Sequence, residues 1–392
     1  MMNTNATPFA PIDPVRQRHL ASVHDIVVKL GTQLLADRST PADKAAPRPP
    51  LDAAYLASVA TQVAALRKRG ARVTLVSSGA IGAGVRELNL PGRPTDLAKL
   101  QAVAAVGQRR LMDAWAGAFA MHALPVAQIL VTREDIDDRT RFLNLRNTLH
   151  AVHELGAVPI LNENDTVSTD EIVSISFGDN DILAALVAHA LSAHLLVLMS
   201  VVDGLLDDAG HPVRLVESIE QARQLVRAEK SPLGKGGMNS KLSAAKMVTD
   251  AGEAMAVVDG RMPEVLTRLL DGEEVGTLFT PPGTQKRSSR SRWIGSVRPA
   301  GTIVVDDGAI RALSVQNRSL LPAGIVKVEG NFGRGDCVAI QSVSGTIIAR
   351  GLSNYAAADV ERVRGKKTAD VRTLLGEAAY DEVVHRDNLV LG

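Results

Sequence analysis

Short β-branched runs that stop abruptly at a small or polar residue recur along this chain, and stretches with helical spacing separate them. The run 23–30 is apolar and ends at Gly31, and 72–76 repeats the type just before Ser77. Each reads as a buried strand running into a turn. Between them 51–69 places apolar residues at helical spacing, which makes a βαβ unit. The alternation continues through apolar runs at 126–131, 157–161 and 195–199, with helical patterns such as 97–119 and 141–155 ahead of them. One more strand at 251–258 and one more helix at 262–271 follow. A chain built this way is α/β, a mainly parallel sheet sandwiched by helices.

A length of 392 residues exceeds what one core normally serves, so a second domain is expected. The composition supports a division. Residues 1–21, rich in Pro and Asn, read as a disordered leader, and 22–280 as the α/β domain. The stretch 37–50 is Pro-rich and charged, a surface excursion before a helix. A polar, basic linker is expected at 281–296, followed over 297–392 by strand-like runs at 301–305, 324–328, 337–340 and 345–349 split by Gly and Asp. These have the spacing of a small β-rich domain.

Bulk charge excludes some classes of function. Lys and Arg total 44 against 43 Asp and Glu, so no overall basic field is available for non-specific nucleic-acid binding. A single cysteine, Cys337, rules out an intrachain disulfide framework and reads as a core thiol in a reducing, cytoplasmic compartment. No run approaches the roughly 18 uninterrupted apolar residues of a membrane span, so no membrane partner is expected. The nine histidines show no HExxH spacing, and His150 with His153 reads as a polar helix face, so no protein-held metal is expected.

Four segments carry phosphate-friendly chemistry. Lys29 follows an apolar strand and precedes Gly31 and Thr32, where backbone N–H groups can approach a phosphate; a surface lysine at a strand end is the plainer reading. The segment Ser77, Ser78, Gly79, Ala80, Ile81, Gly82, Ala83, Gly84 enters a helix and offers either an anion cradle or glycines for close helix packing. Its GxxGxG spacing is not the dinucleotide fingerprint. Gly178, Asp179, Asn180 and Asp181 open the helical stretch 182–191, as site acids or as helix caps. Finally Gly234, Lys235, Gly236, Gly237, Met238, Asn239, Ser240 and Lys241 lead into a helix at 242–248 and differ from the Walker A pattern. They read as a nucleotide loop or a flexible surface loop. A fifth segment, Asn162, Glu163, Asn164 and Asp165, closes an apolar strand, where polar groups can grip an amino acid's ammonium and carboxylate or simply form an Asx turn. Two lysines about a nucleotide with an acid between them suit in-line phosphoryl transfer, which depends on positioning and charge neutralisation.

Taken in order, VVKLGT, VSSGAIGAG, QAVAAVGQRRLM, TREDIDDRTRFLNLRNTL, VPILNENDTV, FGDNDILAALVA and GKGGMNSKLSAAKMVTDAG resemble the bacterial glutamate 5-kinase family of amino-acid kinases. The tail, with RWIGSVRPAGTIVVDDGA, SLLPAGIVKVEGNFGRGD and ARGLSNY, resembles that family's PUA domain. The resemblance implies ATP-dependent phosphorylation of L-glutamate to L-glutamyl 5-phosphate, the step committing glutamate to proline, with Mg2+ on the ATP phosphates. It implies Lys29 and Lys241 at the phosphates with Asp181 holding both. Glutamate falls to Ser78, Asp165 and Asn180, and ATP to Lys29, Ser200, Val201 and the segment from Lys235 to Lys241. Feedback inhibition by proline, through a loop at 134–147, and assembly into a homo-oligomer are implied as well.

Two departures from the family pattern stand out. Val201 occupies a position where relatives usually carry an acid, while Asp203 is retained, and Ser174 to Phe177 lengthen the stretch before Gly178. Competing readings are a kinase of the same fold for another acid or for carbamate, and RNA binding through the PUA-like tail. The RNA reading is disfavoured by the acids in the tail and by three Tyr and two Trp in the whole chain.

Overall fold

The computed structural model describes residues 13–36, 51–167, 180–228, 235–283, 288–375 and 380–391. The excursion at 37–50, Ser174 to Phe177, Gly178, Asp179 and Gly234 lie outside the described residues. The chain divides into two compact units, Met1–Lys286 and Arg287–Gly392.

The first unit opens with α1 (Pro14–Leu20), β1 (Asp25–Leu30), α2 (Thr32–Leu35), α3 (Ala53–Lys68), β2 (Arg72–Ser77), α4 (Ala80–Glu87) and α5 (Leu97–Ala120). It continues through β3 (Val126–Val131), α6 (Arg133–Asp137), α7 (Arg139–Glu154), β4 (Val158–Glu163), α8 (Asn180–Leu191) and β5 (Leu195–Ser200). After the short strands β6 (Leu205–Leu206), β7 (Pro212–Val213) and β8 (Leu215–Val216) come α9 (Ile219–Ala228), α10 (Lys235–Asp250), β9 (Ala254–Asp259), α11 (Val265–Leu270) and β10 (Thr277–Phe279).

Eight of these strands form one sheet in the order β3-β4-β2-β1-β5-β9-β10-β8. The pairs from β3 to β9 are parallel, and β10 then runs antiparallel to β9. Val27 and Val28 in β1 are completely buried, as are Leu75 and Val76 in β2 and Leu195 and Leu196 in β5. Burial of successive residues, which point to opposite faces, is why these strands read as unbroken apolar runs instead of alternating ones. Leu56, Val59 and Val63 of α3 and Leu111, Trp115 and Phe119 of α5 pack on the same core.

The second unit holds α12 (Ser289–Ser296), β11 (Gly301–Val305), α13 (Asp307–Ser314), β12 (Ile325–Gly330), β13 (Cys337–Ser342), β14 (Ile347–Ser353), α14 (Ala357–Val363), α15 (Thr368–Leu375) and β15 (Val384–Leu391). Its sheet has the order β12-β11-β13-β14-β15. Only β11 and β13 pair in parallel. Ile303, Val305, Val338, Ile340 and Val384 form its core. Cys337 is buried in β13, as a core thiol should be, with Sγ 3.7 Å from the Ile294 carbonyl.

Three expectations need correction. The leader read as disordered over 1–21 is helical from Pro14, because Asp13 caps the Val15 N–H at 2.7 Å and the fully buried Arg16 ties the helix down. The span read as a linker, 281–296, is helical from Ser289 to Ser296, where Trp293 and Ile294 are buried beneath the charges that suggested a solvated link. The stretch 134–147 is not a loop but parts of α6 and α7, the first held by a Thr132–Asp135 capping box and the second by Asp138.

Candidate functional site

Strands β4, β2, β1 and β5 are neighbours, and their C-terminal ends gather the candidate residues along one edge of the sheet. Lys29 lies within β1 itself, one residue short of its end, in register with Val76 and Leu198. A lysine so placed is 4% exposed, so the surface reading fails. Its Nζ stands 2.7 Å from Asp181, the second residue of α8, which is wholly buried. From the other side Lys241 Nζ donates to Asp181 Oδ2 at 3.1 Å, and Ser240 Oγ donates to the same oxygen at 3.1 Å. Burial alone would push the Asp181 carboxyl up, but the charges and hydrogen bonds of Lys29 and Lys241 outweigh it and hold the group below the ordinary carboxylate range. Asp181 therefore does more than favour a helix start: it is an anion binding two buried cations together.

The segment read as a glycine-rich loop before a helix at 242–248 is already helical from Lys235, so Gly236, Gly237, Met238, Asn239 and Ser240 belong to the first turns of α10. That correction has a physical cause. Glycines lower helix propensity, but Lys241 is fixed from both sides, on Asp181 and, at 3.3 Å, on the Gly237 carbonyl one turn earlier. Helix starts leave backbone N–H groups without intrahelical partners, and such groups suit phosphate oxygens.

On the other side of Asp181 lies a network of side-chain amides. Asn180 Nδ2 donates to Ser78 Oγ at 2.9 Å and to Asn162 Oδ1 at 3.0 Å. Asn162 in turn donates to Gln108 Oε1 at 2.8 Å. Trp115 Nε1 donates to Ser77 Oγ at 3.0 Å, steadying the end of β2. Asp165 shares none of these bonds. It is buried nearby in sequence, with its carboxyl raised to about 6, first by desolvation and then by the charge of Glu163, against a lowering by Arg93.

The glycines after Ser78 divide between the two roles open to them. Gly79 takes φ +104°, the left-handed turn that starts α4. A Cβ on Gly84 would fall 1.9 Å from the Val103 carbonyl oxygen, and one on Gly107 would fall 1.8 Å from that of Ala80, so these two let α4 and α5 touch backbone to backbone. Gly82 faces open space instead.

Ser200 ends β5 in register with Asp259, and the Val201 carbonyl accepts from Arg261 Nη2 at 2.5 Å. The Val201 side chain packs against the apolar core, so this position presents backbone. Asp203 is paired with Arg214 at 3.0 Å. His150 and His153 do not act as a pair of ligands, since His153 Nε2 lies 2.8 Å from Thr74 Oγ1, and burial takes its ring down to about 4.

Sequence reasoning passed over Gln108 and Trp115. A usable signal existed for Gln108: it falls on the apolar stripe of α5 with Ala104, Leu111 and Trp115, where a polar residue must find a buried partner.

With this geometry in view, the chain's likenesses are specific. The profile of the amino acid kinase family matches residues 26–259, and that of the PUA domain matches 301–375. The glutamate 5-kinase of Geobacter sulfurreducens is 43% identical over 385 residues, 96% of this chain and 100% of the relative. That of Thermus thermophilus is 43% identical over 378 residues, 94% of this chain and 98% of the relative. A third, from Pseudomonas aeruginosa, is 42% identical over 373 residues, 93% and 97% of the two chains.

Proposed function

Since the chain belongs to the amino acid kinase family and carries a PUA domain, we propose that it phosphorylates the γ-carboxylate of L-glutamate with ATP, giving L-glutamyl 5-phosphate at the first step of proline biosynthesis. The observation that carries this reading is the buried Lys29–Asp181–Lys241 line at the C-terminal edge of a parallel sheet. The name this chain's relatives share, glutamate 5-kinase, supports glutamate as the acceptor.

On this reading a γ-carboxylate oxygen attacks the γ-phosphorus of ATP, the bond from that phosphorus to the β,γ-bridging oxygen breaks, and ADP leaves. No general base is required, because the nucleophile is ionised at neutral pH. Lys29 and Lys241 neutralise charge on the phosphates, and Asp181 keeps the two ammonium groups at fixed positions. Ser78, Asn180 and Asp165 hold glutamate, with Asp165 taking its ammonium group. ATP lies along Ser200, the Val201 backbone and the first turns of α10, from Lys235 through Gly236, Gly237, Met238, Asn239 and Ser240 to Lys241.

Magnesium fits this arrangement as a companion of the nucleotide. Asp181 is already engaged by two lysines, and the described residues hold no group of three His, Cys, Asp or Glu placed for a metal ion. Mg2+ on phosphate oxygens and water would supply charge neutralisation of the triphosphate. Inhibition by proline, acting beside the glutamate site through α6 and the start of α7, and assembly into a homo-oligomer belong to the same proposal. No helix among the described residues is long and apolar enough to cross a membrane.

The test is release of ADP with glutamate and Mg-ATP, with the acyl phosphate trapped by hydroxylamine as the hydroxamate. Aspartate, acetylglutamate and carbamate serve as competing acceptors, and proline as inhibitor. Turnover of another acceptor in preference to glutamate would overturn the substrate assignment, and kinetics indifferent to proline would overturn the regulatory one.

A further inference from the structure

An amide presents a donor at one end and an acceptor at the other, so the way it is turned decides what a pocket can bind. One group in the amide network has no choice of role: the backbone N–H of Glu163 can only donate, and it donates to Asn162 Oδ1 at 2.9 Å. The Asn162 amide is thereby turned with Nδ2 toward Gln108, whose Oε1 accepts at 2.8 Å. Asn180 meets three acceptors with its own Nδ2, namely Asn162 Oδ1 at 3.0 Å, Ser78 Oγ at 2.9 Å and the Ser77 carbonyl at 3.3 Å.

What remains is Asn180 Oδ1, a buried acceptor with no donor among the described residues. A buried polar atom left unpaired is costly, and a ligand that donates to it recovers that cost. Each amide in the chain is fixed by its neighbour, and α5 supports the arrangement at both ends, with Gln108 on Asn162 and Trp115 on Ser77. Gln108 is itself only 8% exposed, so water is a poor substitute for it as a partner of Asn162.

We propose that Gln108 is a positioning residue for the amino-acid side of the site. With the Glu163 N–H, which sets the turn of the Asn162 amide, Gln108 holds Asn162 and through it Asn180 in the orientation that leaves Asn180 Oδ1 as an acceptor, and so favours acids carrying an ammonium group over their deaminated analogues. The identity of the acid rests on the glutamate-kinase reading above, whereas the donor selectivity rests on the hydrogen bonds alone.

Gln108→Leu and Gln108→Met remove the acceptor at little change in volume, while Gln108→Glu keeps an acceptor facing Asn162. In the Leu and Met variants the glutamate KM should rise by about tenfold, the loss of roughly one hydrogen bond to a charged group. The ATP KM should stay within about twofold, and the preference for glutamate over glutarate should fall by about tenfold. Gln108→Glu should restore most of both. A wild-type glutamate KM in Gln108→Leu, an equal rise in both KM values, or failure of Gln108→Glu to rescue overturns the proposal.

If the wild type does not phosphorylate glutamate, the kinase reading fails, and calorimetry decides the positioning role separately. Glutamate and aspartate should then bind more tightly than glutarate and succinate, with that preference lost in Gln108→Leu. Absence of a preference for the ammonium-bearing acids, or no binding of any of the four, overturns it.

Discussion

Asp181 and Lys29 meet at 2.7 Å with both side chains almost wholly out of water, their exposures being 0% and 5%. Lys241 joins from the opposite side at 3.1 Å. One buried carboxylate thus compensates two buried ammonium groups, and the consequences of removing each member differ. Asp181→Ala leaves two cations facing each other in a low dielectric and should cost about 3–5 kcal/mol of stability as well as turnover. Lys29→Met or Lys241→Met leaves Asp181 paired with the remaining lysine, so the melting temperature should fall less while kcat falls by about 100-fold or more. Melting curves and hydroxamate kinetics on the three variants check this. Near-normal kcat in either lysine variant would remove that lysine from the chemistry.

On the proposal that Asp165 takes the ammonium group, glutamate capture should depend on pH. The Asp165 carboxyl is raised from 3.8 to about 6, chiefly by desolvation, so the folded protein holds this proton more tightly than the unfolded chain does. The stability that the group contributes is therefore greatest at low pH and declines as pH rises from about 4 to about 6. Binding of an ammonium group follows the opposite course, since it needs the ionised carboxylate. The glutamate KM should climb as pH falls below about 6, and Asp165→Asn should raise the KM at pH 8 while flattening that acid limb. A glutamate KM independent of pH in the wild type, between about pH 5.5 and 8, would dissociate Asp165 from the substrate.

The two glycines at the crossing of α4 and α5 should be sensitive to a single methyl group. On Gly107 a Cβ would lie 1.8 Å from the Ala80 oxygen and 2.3 Å from the Gly84 nitrogen, both backbone atoms that cannot swing aside. Gly107→Ala should lower stability by about 1–3 kcal/mol or more. Gly82→Ala meets nothing within 4 Å and should leave stability within about 0.5 kcal/mol, so that any effect it has appears in the kinetics. Equal melting temperatures for the two variants would contradict the packing role of Gly107.

The parallel core was legible because its central strands β1, β2, β4 and β5 are buried on both faces and so appear as unbroken apolar runs. Val126–Val131 at the sheet edge and Gly301–Val305 in the second unit are only partly buried, yet their apolar runs have the observed bounds. The short strands β6 to β8 and the antiparallel β10 were missed: two or three residues carry no periodicity, and their burial comes from neighbours far along the chain. In the candidate site Lys29, Asp181 and Lys241 each stood in a segment marked for phosphate chemistry, but taken singly they read equally as a strand-end lysine, a helix cap and a loop residue, and the family resemblance joined them. Gln108 was not legible, because an isolated Gln in a long amphipathic helix acquires meaning only when Asn162 is brought to 2.8 Å from it. Composition misled the reading twice, through Pro and Asn content ahead of Pro14–Leu20 and through charge at Ser289–Ser296; in both helices an arginine lies buried, Arg16 at 0% exposure and Arg292 at 6%.

Arg16 offers the clearest test of that last point. Its Nη1 donates to the Arg214 carbonyl at 2.9 Å, and its Nη2 donates to the carbonyls of Glu273 and Val275 at 2.9 and 3.0 Å. One side chain thus joins α1 to the backbone just before β8 and β10, the outermost strands at that side of the sheet. Arg16→Met keeps the aliphatic stem but leaves three carbonyls without this donor, a loss on the order of 3 kcal/mol. Arg16→Lys has too few donors in the right fork to restore all three bonds and should recover only part. The expected result is a melting temperature several degrees lower in Arg16→Met, with Arg16→Lys between it and the wild type. A melting temperature unchanged in Arg16→Met would mean that α1 contributes nothing to the unit it is packed on.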